Sequence, residues 1–178
     1  MDSYQDGGSS MDSTIFTPQS SVMSERSECS KEATKKGTRF DGSSVPWPDA
    51  TYIITERPSG CVITLRDGVI LLEKPGKRSG GSIYWECIEK DGWLGFRSPA
   101  SGKYLGHDMS GKLVCDGPRL HRWERFCVRS RPNEGYILLM PHWEDLWPVF
   151  YSVEHGRNVL RKAEKPVAAG LVWEFVKV

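Results

Sequence analysis

The stretch YWECI at residues 84–88 recurs as RWERFCV at 122–128 and again as VWEFV at 172–176. Each copy joins a Trp-Glu pair to a short run of residues that favour β-strands. Three such copies in one chain indicate an internal repeat, so we expect three equivalent structural units.

The residues around these signatures divide into short apolar segments separated by Gly, Pro, Asp and Asn, which is an all-β pattern. Each unit has four predicted strands, and the twelve are 52–56, 62–66, 69–74, 83–89, 93–97, 104–108, 112–115, 123–129, 136–140, 149–154, 159–161 and 171–178. Gly-containing turns at 66–68, 108–111 and 154–158 join the second strand of each unit to the third. Three strand quartets between residues 51 and 178 predict an all-β β-trefoil with pseudo-threefold symmetry, because closing the barrel removes exposed sheet edges.

The symmetry predicts that Trp85, Trp123 and Trp173 occupy equivalent positions in the core. Burying each ring would stabilise the fold by about 2–3 kcal/mol. In the predicted strand 123–129, however, alternation places Phe126 on the face opposite Arg125. That pattern conflicts with Trp123 and Phe126 sharing the core, so we expect a bulge or a twist near Glu124.

Residues 1–45 are rich in Ser, Gly, Thr, Asp and Lys and contain few large apolar side chains. Such a segment buries too little surface to offset its ordering entropy, so it is predicted to be a disordered arm, either inert or regulated by phosphorylation. The trefoil domain is predicted to span 46–178, with Trp47 as an anchor at its start.

Composition excludes several classes of partner and cofactor. The 178 residues carry a net charge of +1, which does not favour nucleic acid, and no apolar run is long enough for a membrane span. The first residues lack the features of a secretion signal, and the five cysteines form no C-x-x-C pair. We therefore expect reduced thiols, no metal and no cofactor. A reducing compartment means the cytoplasm or the nucleus, of which we predict the cytoplasm.

SGKYLGHDMSGKLVC at residues 101–115 resembles the repeat of fascin-type trefoils: a Gly-basic-Tyr-Leu run, a turn with Gly, and an apolar strand. Over nearly all of 51–178 the chain is similar to small single-domain fungal trefoils classed as fascin-like or actin-cross-linking. The resemblance implies a protein partner, with actin as the candidate, and bundling of filaments would require an oligomer. The alternative is a cytoplasmic carbohydrate-binding trefoil. Ricin-type lectins carry Gln-x-Trp near the end of each repeat, but no Gln lies two residues before any of the three repeated Trp residues of this chain.

Two groups of side chains are candidate binding residues. The first lies in a predicted insertion at 141–148, where rings could stack on a ligand and acids accept hydrogen bonds; it comprises His142, Trp143, Glu144, Asp145 and Trp147. The alternative is that the two Trp rings fold back and plug one end of the barrel. The second group would attract an acidic partner, or else form a solvated outer face, and comprises Arg119, Arg122, Arg125 and Arg129.

No catalytic residues are predicted. Four of the cysteines fall inside apolar strands, where Cys behaves as a small hydrophobic residue, and none stands in a recognised nucleophile motif. The Gly-rich segment at 74–81 lacks the spacing of a phosphate-binding loop. We therefore expect a binding protein rather than an enzyme.

Overall fold

The computed structural model of the chain describes residues 44–76, 80–132, 134–164 and 170–178. The predicted arm lies outside the described residues, apart from its last two positions. The described chain begins at Ser44, whose backbone N–H donates to the Phe175 carbonyl at 3.1 Å. The N–H of Trp47 likewise donates to Tyr52 Oη at 2.8 Å, but its ring is 73 % exposed. Trp47 is therefore held at the start of the domain through its backbone and not through its ring.

Apart from one 3-10 helix, the regular secondary structure of the described residues consists of strands. The first repeat contains β1 (Ala50–Glu56), β2 (Cys61–Arg66), β3 (Val69–Glu73), β4 (Gly81–Ser82) and β5 (Tyr84–Lys90). The second contains β6 (Trp93–Arg97), β7 (Tyr104–His107), β8 (Leu113–Gly117), a 3-10 helix (Arg122–Glu124) and β9 (Cys127–Arg131). The third contains β10 (Gly135–His142), β11 (Asp145–Glu154), β12 (Arg157–Lys162) and β13 (Trp173–Lys177).

Six strands close into a barrel through antiparallel pairs. β1 pairs with both β13 and β5, and β5 pairs with β6. β10 pairs with both β9 and β13. A bridge between Leu94 of β6 and Phe126, just before β9, completes the ring. Closure leaves the barrel strands without a free edge, as the sequence pattern required.

Three hairpins, β2–β3, β7–β8 and β11–β12, cover one end of the barrel. Their contacts repeat around the axis: Val69 pairs with Val114, Leu71 with Val159, and Lys112 with Arg161. A six-stranded barrel with a triplet of hairpins is the β-trefoil, so the predicted fold class is confirmed.

The prediction that Trp123 is a core residue is wrong. Trp85 and Trp173 are fully buried, but Trp123 is 46 % exposed and Phe126 is buried in its place. The strand register shows the equivalence, since the first strand of each repeat meets the last strand through the pairs Tyr52–Trp85, Leu94–Phe126 and Tyr136–Trp173. The core ring of the second repeat therefore lies three residues after the one that the signature indicates.

A 3-10 turn causes this shift, and it stands where a bulge or a twist was predicted. The Glu124 carboxylate accepts the His121 backbone N–H at 3.0 Å and is buried. Its side chain fits against Gly106 and Gly117, where an added Cβ would come within 3.1 and 2.7 Å of Glu124 atoms. With Glu124 held there, the predicted strand 123–129 begins only at Cys127.

The predicted insertion at 141–148 is an extension of a regular hairpin. Pro141 and His142 continue β10, and His142 pairs with Asp145 at the start of β11. The two-residue turn consists of Trp143 and Glu144, and Trp143 has a φ of 55°. A positive φ is uncommon for a bulky side chain and stores local strain.

Candidate functional site

A cleft of about 430 Å³ opens where the second and third repeats meet. The turn after β7, the 3-10 helix, the tip of the β10–β11 hairpin and the end of β12 form its walls. Three indoles, two imidazoles and two cationic groups dominate the lining: Trp123, Trp143, Trp147, His107, His142, Arg122 and Lys162. We call this site the indole cleft.

Two indoles stand at the rim of the indole cleft. Trp143, at the hairpin tip, is 79 % exposed, and the guanidinium carbon of Arg122 lies 5.6 Å from its ring centroid. This distance permits a cation–π contact. Trp123 stacks on His107 with centroids 5.6 Å apart and an interplanar angle of 24°.

The third indole, Trp147, lies deeper. The imidazole of His142 covers it in a nearly parallel stack, with centroids 3.3 Å apart. Its Nε1–H is buried and has no hydrogen-bond partner among the described residues. Burial, followed by the charge of Lys162, lowers the pKa of His142, which favours the neutral imidazole.

A lysine–histidine pair lies in the wall of the indole cleft. His107 Nδ1 is 2.8 Å from the Asp108 carbonyl oxygen, which can only accept, so Nδ1 carries the ring proton. His107 Nε2 is then an acceptor, and Lys162 Nζ donates to it at 3.0 Å. Burial lowers the pKa of His107, and the charge of Lys162 lowers it further, which agrees with a neutral ring.

Lys162 is the most buried cation of the cleft, at 9 % exposure. Its ammonium also donates to the Pro141 carbonyl at 3.4 Å. Burial lowers the pKa of Lys162, with a further contribution from Arg122. The side chain therefore points inward among neutral acceptors.

The turn after β7 holds its shape through Asp108. The carboxylate oxygen accepts the backbone N–H groups of Ser110 and Lys112 at 2.8 and 3.0 Å and the Ser110 hydroxyl at 2.7 Å. Partial burial raises the pKa of Asp108, but these hydrogen bonds outweigh it and hold that pKa below its usual value. Hydrogen bonds within the turn thus already use this carboxylate oxygen.

Three of the five residues predicted in the 141–148 segment line the indole cleft: His142, Trp143 and Trp147. Glu144 and Asp145 are exposed and do not line it. The alternative in which both rings plug the barrel does not describe Trp143, which faces solvent.

Sequence reasoning missed His107, Trp123 and Lys162 as site residues. Trp123 was assigned to the core. For Lys162 there was a usable signal, because Leu160 and Lys162 share one face of β12 and Leu160 is an inward apolar position.

The predicted arginine group is divided by the structure. Arg122 lines the indole cleft, whereas Arg125 lies over the Trp93 ring at 5.8 Å and 3.9 Å from the Asp91 carboxylate. Arg119 and Arg129 are exposed, and within the described part of the chain neither forms an ion pair. The role of these four residues in binding a partner stays a prediction.

The described residues also bear on thiol chemistry and on metal binding. Cys61, Cys87, Cys115 and Cys127 are free thiols. Burial, aided by Asp49 and Glu89, raises the pKa of Cys87 to about 12, which disfavours a thiolate. Within the ranges that the structure covers, His, Cys, Asp and Glu form no group of three suited to a metal ion. In those same ranges no helix has the length and hydropathy to cross a bilayer.

Comparisons by sequence found no matching family model and no matching curated protein. Solved structures are similar in fold. The chain superposes on Cry35Ab1 with a TM-score of 0.61 at 9 % identity, covering 75 % of this chain and 37 % of that one. It superposes on a ricin B-like lectin from Macrolepiota procera, solved in complex with lactose, with a TM-score of 0.58 at 16 % identity.

That superposition covers 75 % of this chain and 98 % of the lectin. A third similar structure is ThreeFoil, a designed threefold-symmetric protein, with a TM-score of 0.57 and 12 % identity over 72 % of this chain and 99 % of that one. The chain thus spans nearly the full length of the last two proteins but just over a third of Cry35Ab1. At these identities the likeness establishes the trefoil fold alone.

Proposed function

We propose that this trefoil is a non-enzymatic binding module that takes a carbohydrate in the indole cleft. The observation that carries the proposal is Trp143, a large ring that is 79 % exposed at the lip of a cleft. An exposed indole favours stacking against the apolar face of a sugar ring, while nearby polar groups receive the hydroxyls.

The backbone of Trp143 supports the same proposal. A positive φ for a bulky residue costs on the order of 1–3 kcal/mol and is found preferentially at ligand clamps. A turn at this point of the hairpin would be easier to form with Gly or Asn. A Trp at a strained backbone position, with Arg122 over its ring, is therefore more consistent with a recognition surface than with a turn that only connects two strands.

The lactose complex of the Macrolepiota procera lectin, a protein of similar fold, supports a carbohydrate as the ligand class. The Gln-x-Trp of ricin-type lectins is missing from this chain, so the repeat ends are less favoured as sugar sites. The indole cleft is the better candidate because it combines exposed rings with hydrogen-bonding groups.

The test is a glycan array followed by calorimetric titration of the best glycan with Trp143→Ala. We expect at least a tenfold loss of affinity, which corresponds to about 1.4 kcal/mol for the lost ring contact. Trp47→Ala is the matched control because its ring is similarly exposed but does not line the cleft, and its affinity should be unchanged. An array without binders, or equal losses in both variants, would refute the proposal.

A protein partner with an acidic surface is the second candidate. The exposed Arg119 and Arg129 favour it, as neither has an ion-pair partner among residues that the structure describes. The resemblance to fascin-type trefoils makes filamentous actin the specific case, and it agrees with the predicted cytoplasmic location.

Co-sedimentation with actin filaments tests this second candidate. We expect the protein to pellet at tens of micromolar and the double variant Arg119→Glu/Arg129→Glu to remain in the supernatant, since charge reversal repels an acidic surface. Arg157→Glu/Lys90→Glu, at exposed positions on β12 and β5, is the charge-matched control and should still pellet. Failure of the wild-type protein to pellet would exclude actin.

A further inference from the structure

We infer that the ligand of the indole cleft is an acidic sugar, one whose carboxylate or sulfate pairs with the ammonium of Lys162. This inference rests on the proposed carbohydrate function and narrows its ligand class. The observation behind it is a buried cation that lines the cleft and has no counterion among the described residues.

Lys162 is more than nine-tenths buried, yet the two acceptors that it has among the described residues are both neutral. They are His107 Nε2 at 3.0 Å and the Pro141 carbonyl at 3.4 Å. An ammonium has three protons, so one is left without an acceptor among the residues that the structure covers. A buried ammonium that lacks an opposite charge is unfavourable, and burial accordingly lowers the pKa of this amine.

His107 positions the amine but does not neutralise it. Its Nδ1 proton is committed to the Asp108 carbonyl, so Nε2 offers Lys162 a lone pair and no charge. The pair therefore keeps a single positive charge in the wall of the cleft. An anionic ligand group would supply both the missing acceptor and the missing charge.

The carboxylates near the cleft do not fill this role. Asp108 lines it, but one of its oxygens already accepts three hydrogen bonds within its own turn. Glu164 is exposed, and no described carboxylate lies within ion-pair distance of Lys162. The next residues along the chain, 165–169, read KPVAA and contain no acid.

A second cation lines the same cleft beside the stacking ring. Arg122 lies over Trp143 and forms no ion pair with any residue in the described ranges. The cleft thus joins an exposed ring, suited to the body of a sugar, with two cationic groups suited to an acidic substituent. Neutral sugars would use the ring and leave the buried ammonium unpaired.

The experiment is an array in which every sialylated or sulfated glycan is printed beside its neutral parent, probed with the full chain. We expect the acidic member of a pair to bind at least tenfold more tightly. Equal binding of the two members would overturn the inference while leaving the carbohydrate proposal intact, whereas no binding to any glycan would remove both. This comparison uses the wild-type protein and so does not depend on how a variant folds.

Variants then test which cationic side chain pairs with the acidic group of the glycan. Titration of Lys162→Met should remove most of the preference for the acidic glycan, measured as the ratio of the affinities for the acidic member and its neutral parent. Arg122→Met, at an exposed position, should weaken the acidic glycan by a smaller factor, and Lys90→Met, at the exposed end of β5, should change nothing. An acidic-to-neutral affinity ratio in Lys162→Met equal to that of the wild-type protein would overturn the inference.

Competition with free anions tests whether the cleft recognises the sugar or only its negative charge. Inorganic sulfate and N-acetylneuraminic acid should compete differently, with the acidic sugar effective at a concentration at least tenfold lower. If sulfate alone competes as well as the acidic sugar, the site binds simple anions and the inference of an acidic sugar is wrong.

Discussion

Phe126→Ala is expected to lower the free energy of unfolding by about 3–5 kcal/mol. The Phe126 ring is 1 % exposed and packs edge-on against Phe96 with centroids 5.4 Å apart. Its position is equivalent to those of Trp85 and Trp173, so the change leaves a cavity in one third of a symmetric core. Urea denaturation followed by circular dichroism measures the loss.

Trp123→Ala is the matched control for Phe126→Ala, and it removes a larger ring. We expect a loss of about 1 kcal/mol or less, because Trp123 is 46 % exposed and its main ring contact is the stack on His107. If Trp123→Ala proved more destabilising than Phe126→Ala, the register of the second repeat given above would be wrong.

Gly135→Ala should destabilise the fold by about 2–5 kcal/mol, from backbone strain together with a steric clash. Gly135 starts β10 with a φ of 121°, a conformation that L side chains rarely adopt. A Cβ would lie 2.7 Å from the Trp173 carbonyl oxygen. That oxygen belongs to a backbone paired with β10 through Tyr136, so it has little freedom to move away.

Gly156→Ala separates the cost of backbone strain from the cost of the steric clash. Gly156 also has a positive φ, 73°, but an added Cβ would meet no atom within 4 Å. We expect a cost of about 1–2 kcal/mol from the backbone alone. Thermal or urea unfolding of both variants gives the comparison, and equal losses would contradict the clash at Gly135.

Local patterns were sufficient to predict most strands. Apolar alternation and turn glycines are short-range properties, so β6 was predicted at its observed bounds and most of the other strands were predicted to within two residues. The repeat then led to the trefoil, because few architectures bury three copies of one strand quartet at once.

The same local reasoning was wrong for Trp123. The Arg-Trp-Glu run matches the signature in sequence, but Glu124 is buried against Gly106 and Gly117, which belong to other strands of its repeat. That contact stabilises a 3-10 turn in place of a strand. Alternation around Phe126 carried the correct signal, since it indicated that Trp123 and Phe126 could not both face the core.

The candidate site was predicted only where its residues are neighbours in sequence. His142, Trp143 and Trp147 lie on one hairpin, so their closeness in sequence predicted their closeness in space. Lys162, His107 and Trp123 come from other elements and reach the same cleft only after the barrel closes.

The sequence by itself determined the threefold repeat, the strand content and the presence of aromatic side chains at the tip of the β10–β11 hairpin, because these depend on residue type and local spacing. Tertiary structure alone decided which ring of the second repeat is buried and which groups share the cleft with Trp143. It also decided that Lys162 is buried beside a neutral imidazole, because burial and charge environment depend on which strands pack together and not on their order in the chain.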